Sequence, residues 1–318
     1  LAPPPAQPDP AELGRRLAAG DRAAAPAALN VLEDRSARGR EAAAELLGAV
    51  GSEARAHLVG VTGPPGAGKS SLLSALVSRW RASGRTVAVL AVDPSSKRSG
   101  GSLLGDRARI EHDPRDDGVL IRSTAAGGRL GGLAAPTRDA AFALAAAFDL
   151  VVVETVGVGQ SETDVEELCD TTAVVVQPAS GDTLQFLKAG IMEVPDVLVV
   201  TKADLGAVAL RAQRDLRAAL RSLGVSNTPV VSVSSLPPAS GIDDLVEALD
   251  AHRDRIDIAA ARLRSRRLAA LADFTAEHGE RALRALGGRR AAEKLLADED
   301  PSLSVGELTA RLQAHAQG

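Results

Sequence analysis

Eight consecutive residues, Gly63 to Ser70 (GPPGAGKS), stand directly after the apolar run LVGVT at 58–62 and directly before a helical pattern at 70–83. Glycine at positions 63, 66 and 68 lets the backbone curl where a side chain would obstruct it, and the Lys-Ser end opens a helix. The segment therefore demands a strand, a tight loop and a helix in immediate succession. A parallel sheet with crossover helices is the architecture that accommodates such a unit.

The rest of the chain agrees. From residue 58 onward, short β-branched runs alternate with longer amphipathic stretches. Strands are expected at 58–62, 86–92, 119–122, 150–154, 173–177, 197–200 and 230–233, with helices among them at 70–83, 137–147 and 210–223. Several of the runs are apolar almost throughout, as strands buried on both faces must be. The fold class expected is α/β: a mostly parallel central sheet flanked by helices, with an N-terminal helical segment (1–50), a central domain (51–254) and a C-terminal helical extension (255–318).

At the N-terminus, residues 1–8 read as a disordered, proline-rich lead. Asp9 then caps a helix, Pro10 suits its first position, and Glu12 is placed to reach back to the cap. Breaks are expected near Gly20-Asp21 and Ser36. The C-terminal extension is rich in Ala, Leu and Arg and is broken at Gly287-Gly288 and near Pro301. Its apolar positions Leu263, Leu268, Leu271 and Phe274 recur at helical spacing and need cover, either from the chain's own core or from a second copy.

Composition narrows the function classes. A formal net charge of −4 gives no electrostatic reason to expect nucleic acid or an anionic membrane as partner, and the arginine runs near the C-terminus read as solvated helix faces. The single cysteine, Cys169, excludes an internal disulfide framework and a Cys-rich metal site, which fits a reducing cytoplasm. No run of 18 apolar residues is present, nor a charged-then-apolar leader, so no membrane-spanning segment is expected. The chain opens on Leu1 rather than Met, which leaves a longer natural N-terminus open.

Four stretches carry chemistry. In the first, a complete Walker A sequence, the curled loop turns backbone N–H groups toward phosphate oxygens while the following helix offers its positive end. Gly63, Pro64, Pro65, Gly66, Ala67, Gly68, Lys69, Ser70 and Ser71 form this candidate phosphate site; Lys69 would reach the β- and γ-phosphates and Ser70 would ligate Mg²⁺. In the second, DLVVVETVGVGQ, Glu154 and Gly157 follow a buried strand, so that a carboxylate stands beside Mg²⁺ and a glycine N–H near the γ-phosphate. An ordinary strand-capping acid is the alternative.

The third stretch, TKAD, places Thr201, Lys202 and Asp204 after a strand, close to the Asn-Lys-x-Asp pattern of guanine readers. An aspartate accepts from both guanine N1–H and N2–H₂, whereas adenine offers neither in that arrangement, so GTP is favoured over ATP. Thr201 in place of Asn is expected to weaken one hydrogen bond that braces the loops. Ser234 and Ser235 follow the next strand, where a backbone N–H would reach guanine O6. The fourth stretch, AVDPSSKRSGGSLLGDRARI, runs from Asp93 at a strand end through glycines to Asp106. These acids suit Mg²⁺ or water, and the loop suits reordering with the γ-phosphate; a plain turn at Asp93-Pro94 and a surface Asp106 are the alternative.

Together, GPPGAGKSS, VDPSSKRSGGSLLGDRARI, ETVGVGQSE, the GDTLQFLKAGIME stretch and TKADLG resemble the MeaB/ArgK family of P-loop GTPases, to which the human methylmalonic aciduria type A protein belongs. The resemblance covers about residues 10–255, and more loosely the helical tail. It implies a slow GTPase that protects and reloads an adenosylcobalamin-dependent methylmalonyl-CoA mutase or a related acyl-CoA mutase. It also implies a homodimer held by the C-terminal extension. By matching residues, Lys69 contacts phosphate, and Ser70 ligates Mg²⁺ with Asp93, Asp106 and Glu154 around metal and water. Lys202 and Asp204 hold the guanine of GTP or GDP. The loop from Ser180 to Lys188 corresponds to a further switch that answers to the mutase, with Ala179-Ser180 where the family is richer in glycine. No residue set marks a cobalamin site.

Gln160 stands three residues beyond Gly157, and no arginine finger is evident, so slow intrinsic hydrolysis accelerated by a partner is expected. Two other readings use the same motifs: an ATP-dependent kinase of an amino-acid transport system, which Asp204 opposes, and a metal-delivery GTPase. The second needs clustered Cys or His, yet His57, His112, His252, His278 and His315 are scattered. A protein-targeting GTPase would need a methionine-rich surface, and Met192 is the sole methionine.

Overall fold

The computed structural model describes residues 8–51, 55–93, 110–125, 133–155, 161–178, 195–225, 227–301 and 303–317. The chain divides into two compact units, residues 55–256 and the two terminal segments 1–54 with 257–318.

The larger unit is built on a seven-stranded sheet in which every neighbouring pair is parallel: β1 (His57–Thr62), β2 (Val87–Asp93), β3 (Val119–Ala125), β4 (Leu150–Thr155), β5 (Thr171–Val176), β6 (Val197–Val200) and β7 (Val230–Ser232). Their spatial order is β3-β2-β4-β1-β5-β6-β7. Parallel strands require crossovers, so helices cover both faces and the strands read as continuous apolar runs. Every residue of β1, β4, β5 and β6 is buried.

Alternation along the strands sorts the side chains into two layers. Val59 and Val61, Leu150 and Val152, and Val197 and Val199 face the layer of α4 (Lys69–Ala82), where Leu72, Leu73, Leu76 and Trp80 pack. The helix Ile242–Arg253 shares that face through Leu245 and Leu249. Val174, Val176, Leu198, Val200 and Val230 face the opposite layer and pack on Leu216 and Leu220 of the helix Ala207–Ser222. Each such side chain contributes about 1.5–3 kcal/mol on burial, so these two layers hold the sheet together.

All seven expected strands are present, with ends shifted by up to three residues. The largest lesson is at β5. Apolarity alone starts it at Ala173, yet it begins at Thr171, where both threonines are buried and the Thr171 hydroxyl and Thr172 N find partners, while the Thr172 hydroxyl has none among the described residues. The Thr171 hydroxyl lies 2.7 Å from His57 Nε2 and 2.9 Å from His252 Nδ1, and His252 Nε2 lies 3.1 Å from Asp196. Thr172 N donates to the same aspartate at 2.8 Å. This polar chain runs across the foot of the sheet, at the strand N-termini.

The helices of the terminal segments are α1 (Pro10–Ala18), α2 (Ala25–Glu33) and α3 (Ala37–Val50) before the sheet. Asp9 caps α1 by accepting from Ala11 N at 3.0 Å. Glu12 does not return to the cap; its carboxylate pairs with Arg15 at 2.9 Å, an i,i+3 partner on the same exposed face. After the sheet come Ile258–Ala285, kinked at Gly279, then Arg289–Ala297 and Val305–Gln317. Leu271 and Phe274 are buried together with Leu283, Leu296, Leu308 and Leu312, so the tail builds a small core of its own. Leu263 and Leu268 stay partly exposed. In chain order we number the helices of the larger unit α4, α5 (Ala135–Leu144), α6 (Ser161–Leu168), α7 (Ala207–Ser222) and α8 (Ile242–Arg253).

Candidate functional site

β1 delivers the chain to Gly63, where φ is 147° and a Cβ would lie 2.2 Å from the carbonyl oxygen of Val175 on β5. Only glycine fits that backbone and that approach. The loop turns at Pro64, whose carbonyl accepts from Ala67 N at 3.2 Å, and reaches Gly68 in the left-handed region at φ 91°. α4 starts there without any side-chain cap, so its first N–H groups and its positive end face the mouth of the loop. Lys69 is buried, and its ammonium group donates to Gly63 O at 2.7 Å and to Pro64 O at 3.2 Å. A buried cation beside the uncapped N-terminus of a helix is a receptacle for an oxyanion.

The acidic side of the site follows from register. Glu154, near the end of β4, stands opposite Val61 of β1 and Ala91 of β2, and is 9% exposed. Leu150 and Val152 of the same strand pack in the α4 layer, so period-two alternation turns Glu154 toward α4, the helix that carries Ser70. β2 ends at Asp93, paired with Ala125 of β3. The hydroxyls of Thr62 and Thr155 meet at 3.2 Å between the ends of β1 and β4. Asp106, Gly157, Gln160 and the loop from Ser180 to Lys188 lie outside the described residues.

A third corner forms after β6 and β7. Thr201 is buried, and its hydroxyl lies 2.6 Å from Ala67 O and 3.0 Å from Val176 O. Threonine, which departs from the Asn of the guanine-reader pattern, still makes a bracing bond: its short side chain reaches the phosphate loop directly. Lys202 adopts a left-handed backbone at φ 54°, ψ 42°, a conformation that costs a non-glycine residue about 1–2 kcal/mol. Its ammonium group is held by Gln177 Oε1 at 2.7 Å and Gly66 O at 3.3 Å. Asp204 is exposed and accepts from the buried Ser234 hydroxyl at 2.9 Å, while Ala203 N donates to Val233 O at 3.0 Å. Ser235 follows on the same loop.

The structure thus brings the residues of 63–71, Glu154, Lys202, Asp204 and Ser234 to the carboxyl ends of neighbouring parallel strands, where open α/β sheets bind their ligands. Three contributors were not singled out in the sequence. Gln177 follows β5 and accepts from the Lys202 ammonium group, and Leu205 (51% exposed) and Leu236 (63% exposed) are exposed apolar residues next to Asp204 and two past Ser234 in the chain. Position one and two residues past a motif was the only available signal for the leucines. The donor set fits a nucleotide: uncapped amides and a lysine for phosphates, a hydroxyl and a carboxylate for Mg²⁺, and an exposed carboxylate acceptor for a base.

The family model of methylmalonyl Co-A mutase-associated GTPase MeaB matches residues 25–285. A putative GTPase of Pyrococcus abyssi is 40% identical over 263 residues, covering 80% of this chain and 79% of its own. A putative GTPase of Caulobacter vibrioides is 43% identical over 256 residues, covering 79% and 78%. The mitochondrial methylmalonic aciduria type A homolog of Caenorhabditis elegans is 39% identical over 225 residues, which are 66% of this chain and 56% of that protein. Among solved structures, that of a LAO/AO transport system kinase superposes with a TM-score of 0.66 at 26% identity, over 97% of this chain and 98% of its own. The family match runs through every motif of the phosphate and base corners and through the whole sheet, and the chain belongs to the methylmalonyl-CoA mutase-associated GTPases of the MeaB family, enzymes that hydrolyse GTP.

Proposed function

We propose that this GTPase is a chaperone for an adenosylcobalamin-dependent acyl-CoA mutase, methylmalonyl-CoA mutase or a relative, and that its nucleotide cycle gates cofactor loading and protects the loaded enzyme. The observation that carries the reading is the family match over residues 25–285, supported by relatives named for methylmalonic aciduria type A.

In this reading the amides of 63–71 and the Lys69 ammonium hold the phosphates, and Ser70, Glu154, Asp93 and Asp106 hold Mg²⁺. Bound Mg²⁺ supplies neutralisation of charge on the phosphoryl oxygens. Lys69 adds a fixed positive charge in a buried setting, where it acts more strongly than in water. Gly157 offers its N–H to the terminal phosphate. Asp204 accepts from the guanine edge, Lys202 lies along the ring, and Ser234 and Ser235 fix the loop beneath it. The loop from Ser180 to Lys188 transmits the nucleotide state to the mutase, and the C-terminal helices join two copies into a homodimer. The setting is cytoplasmic, with neither nucleic acid nor membrane as partner; among the described residues no helix is long and apolar enough to cross a membrane.

The test is a pull-down from the source organism's extract on the full chain loaded with a non-hydrolysable GTP analogue. Recovery of an acyl-CoA mutase is expected, with single-turnover hydrolysis slow alone and faster when the mutase is added. Reproducible absence of a mutase at good protein levels overturns the assignment.

A further inference from the structure

Three consecutive residues at the carboxyl end of β5 grip both halves of the site. The carbonyl of Val175 backs onto Gly63, where a Cβ would come within 2.2 Å of its oxygen. Val176 O accepts from Thr201 N at 2.9 Å and lies 3.0 Å from the Thr201 hydroxyl. Gln177, half-buried and just past the strand, takes the next residue of the same loop: Lys202 Nζ donates to Gln177 Oε1 at 2.7 Å.

An ammonium group donates and never accepts, so the amide of Gln177 has one possible orientation, carbonyl toward the lysine. A hydrogen bond from a charged donor is also stronger than a neutral one. The other acceptor of Lys202, Gly66 O at 3.3 Å, stands at the long end of such contacts, which makes Gln177 the main anchor of this ammonium group. Lys202 is exposed, and its backbone lies in the left-handed region at φ 54°, a conformation that persists only where its surroundings hold it. A lysine stem released from its anchor regains its rotamers and swings into water. Held at Gln177 and at the apex of the phosphate loop, the stem keeps its methylenes in one place, and less ordering is left to nucleotide binding.

We propose that Gln177 is a positioning residue for the base: by accepting from the Lys202 ammonium group it fixes the lysine stem against which the guanine ring lies. The role rests on the reading of Lys202 as the residue along the ring. Lys202 meets the face of the ring and Asp204 its edge, so losing the anchor weakens purine nucleotides alike and spares the binding of phosphate and the hydrolytic step.

Gln177→Met keeps the length of the side chain and removes the acceptor. Calorimetry on the full chain with Mg²⁺ should show GDP and IDP weakened equally, by about five- to ten-fold, with the preference between them kept. Inorganic tripolyphosphate, which has no base, should bind the variant as it binds wild type. The KM for GTP should rise by the same factor while kcat stays within about two-fold. Gln177→Glu restores an acceptor at the same reach and should bring GDP affinity to within about three-fold of wild type. Lys202→Ala should weaken GDP by about ten-fold or more, and adding Gln177→Met to it should change nothing further. Wild-type GDP affinity in Gln177→Met, beside a weakened Lys202→Ala, overturns the role of Gln177 and leaves the base corner standing. Wild-type affinity in Lys202→Ala overturns both. A Gln177→Met loss that extends to tripolyphosphate, or that adds in full to that of Lys202→Ala, makes Gln177 a merely structural residue and overturns the proposal.

Discussion

The hydroxyl oxygen of Thr201 lies 2.6 Å from the carbonyl oxygen of Ala67, tying the loop after β6 to the apex of the phosphate loop. Val176 O, at 3.0 Å, is the second acceptor within reach of the same proton. The phosphate and base corners of the site are thereby one mechanical piece. Thr201→Val keeps the shape and removes the donor, leaving buried carbonyls less well satisfied at a cost of about 1–2 kcal/mol. GDP affinity measured by calorimetry should fall by about ten-fold, and Thr201→Ser should restore most of it. Unchanged affinity in the valine variant would show that the loops are positioned by something else.

Lys69 sits at the turn from loop to helix with its ammonium group clasped by Gly63 O and Pro64 O. Lys69→Met preserves the aliphatic stem and removes the charge. Single-turnover GTP hydrolysis should drop by at least about 100-fold, while the melting temperature stays within a few degrees of wild type. A variant that keeps substantial turnover would remove Lys69 from the reaction.

Asp204 offers its carboxylate at an exposed corner, with one oxygen accepting from Ser234. Two acceptors match the N1–H and N2–H₂ of guanine; an amide offers one acceptor and one donor, which matches xanthine. Asp204→Asn should lower GTP affinity at least about 100-fold and raise affinity for XTP. The wild type should prefer GTP over ATP in direct competition, which also separates this enzyme from an ATP-using transport kinase. Equal competition by ATP would overturn the assignment of Asp204.

At the foot of the sheet, burial pushes His57 down to about 4, assisted by the charges of Arg253 and His252 and opposed by Asp170 and Asp250. Between the ordinary histidine value near 6.5 and about 4, the unfolded chain takes up a proton that the folded His57 refuses. Its contribution to stability is therefore complete above 6.5 and is lost as pH falls toward 4. Urea unfolding at pH 7 and pH 5 should show wild type losing about 2 kcal/mol more than His57→Gln, which still offers Thr171 a partner but does not titrate. Equal losses would mean that His57 protonates in place.

Much of this molecule is legible in one dimension because its rules are local. β1, β4, β5 and β6 are buried on both faces, so their apolar runs show through directly, and the GPPGAGKS segment specifies its own backbone through glycines that tolerate φ values of 147° and 91°. Where polarity is paired across distance, the reading falls short. Thr171 and Thr172 look like a loop before the strand until His57, 114 positions away, and Asp196 supply their partners. Thr201 reads only as a departure from Asn until Ala67, 134 positions away, is found to accept its proton.

The sequence alone determined the parallel α/β architecture, the strand–loop–helix unit around GPPGAGKS and the position of Glu154 at a strand end, and it raised the expectation of guanine at Asp204. These depend on periodicity, glycine placement and donor–acceptor matching within a few residues. Only the tertiary structure decided that Thr201 braces the phosphate loop, that Gln177 holds Lys202, and that the chain after β7 turns back to pair Ser240 with Ser234. Strand order and register set those relationships, and both are fixed by the packing of helices far apart in the chain, which no local pattern encodes.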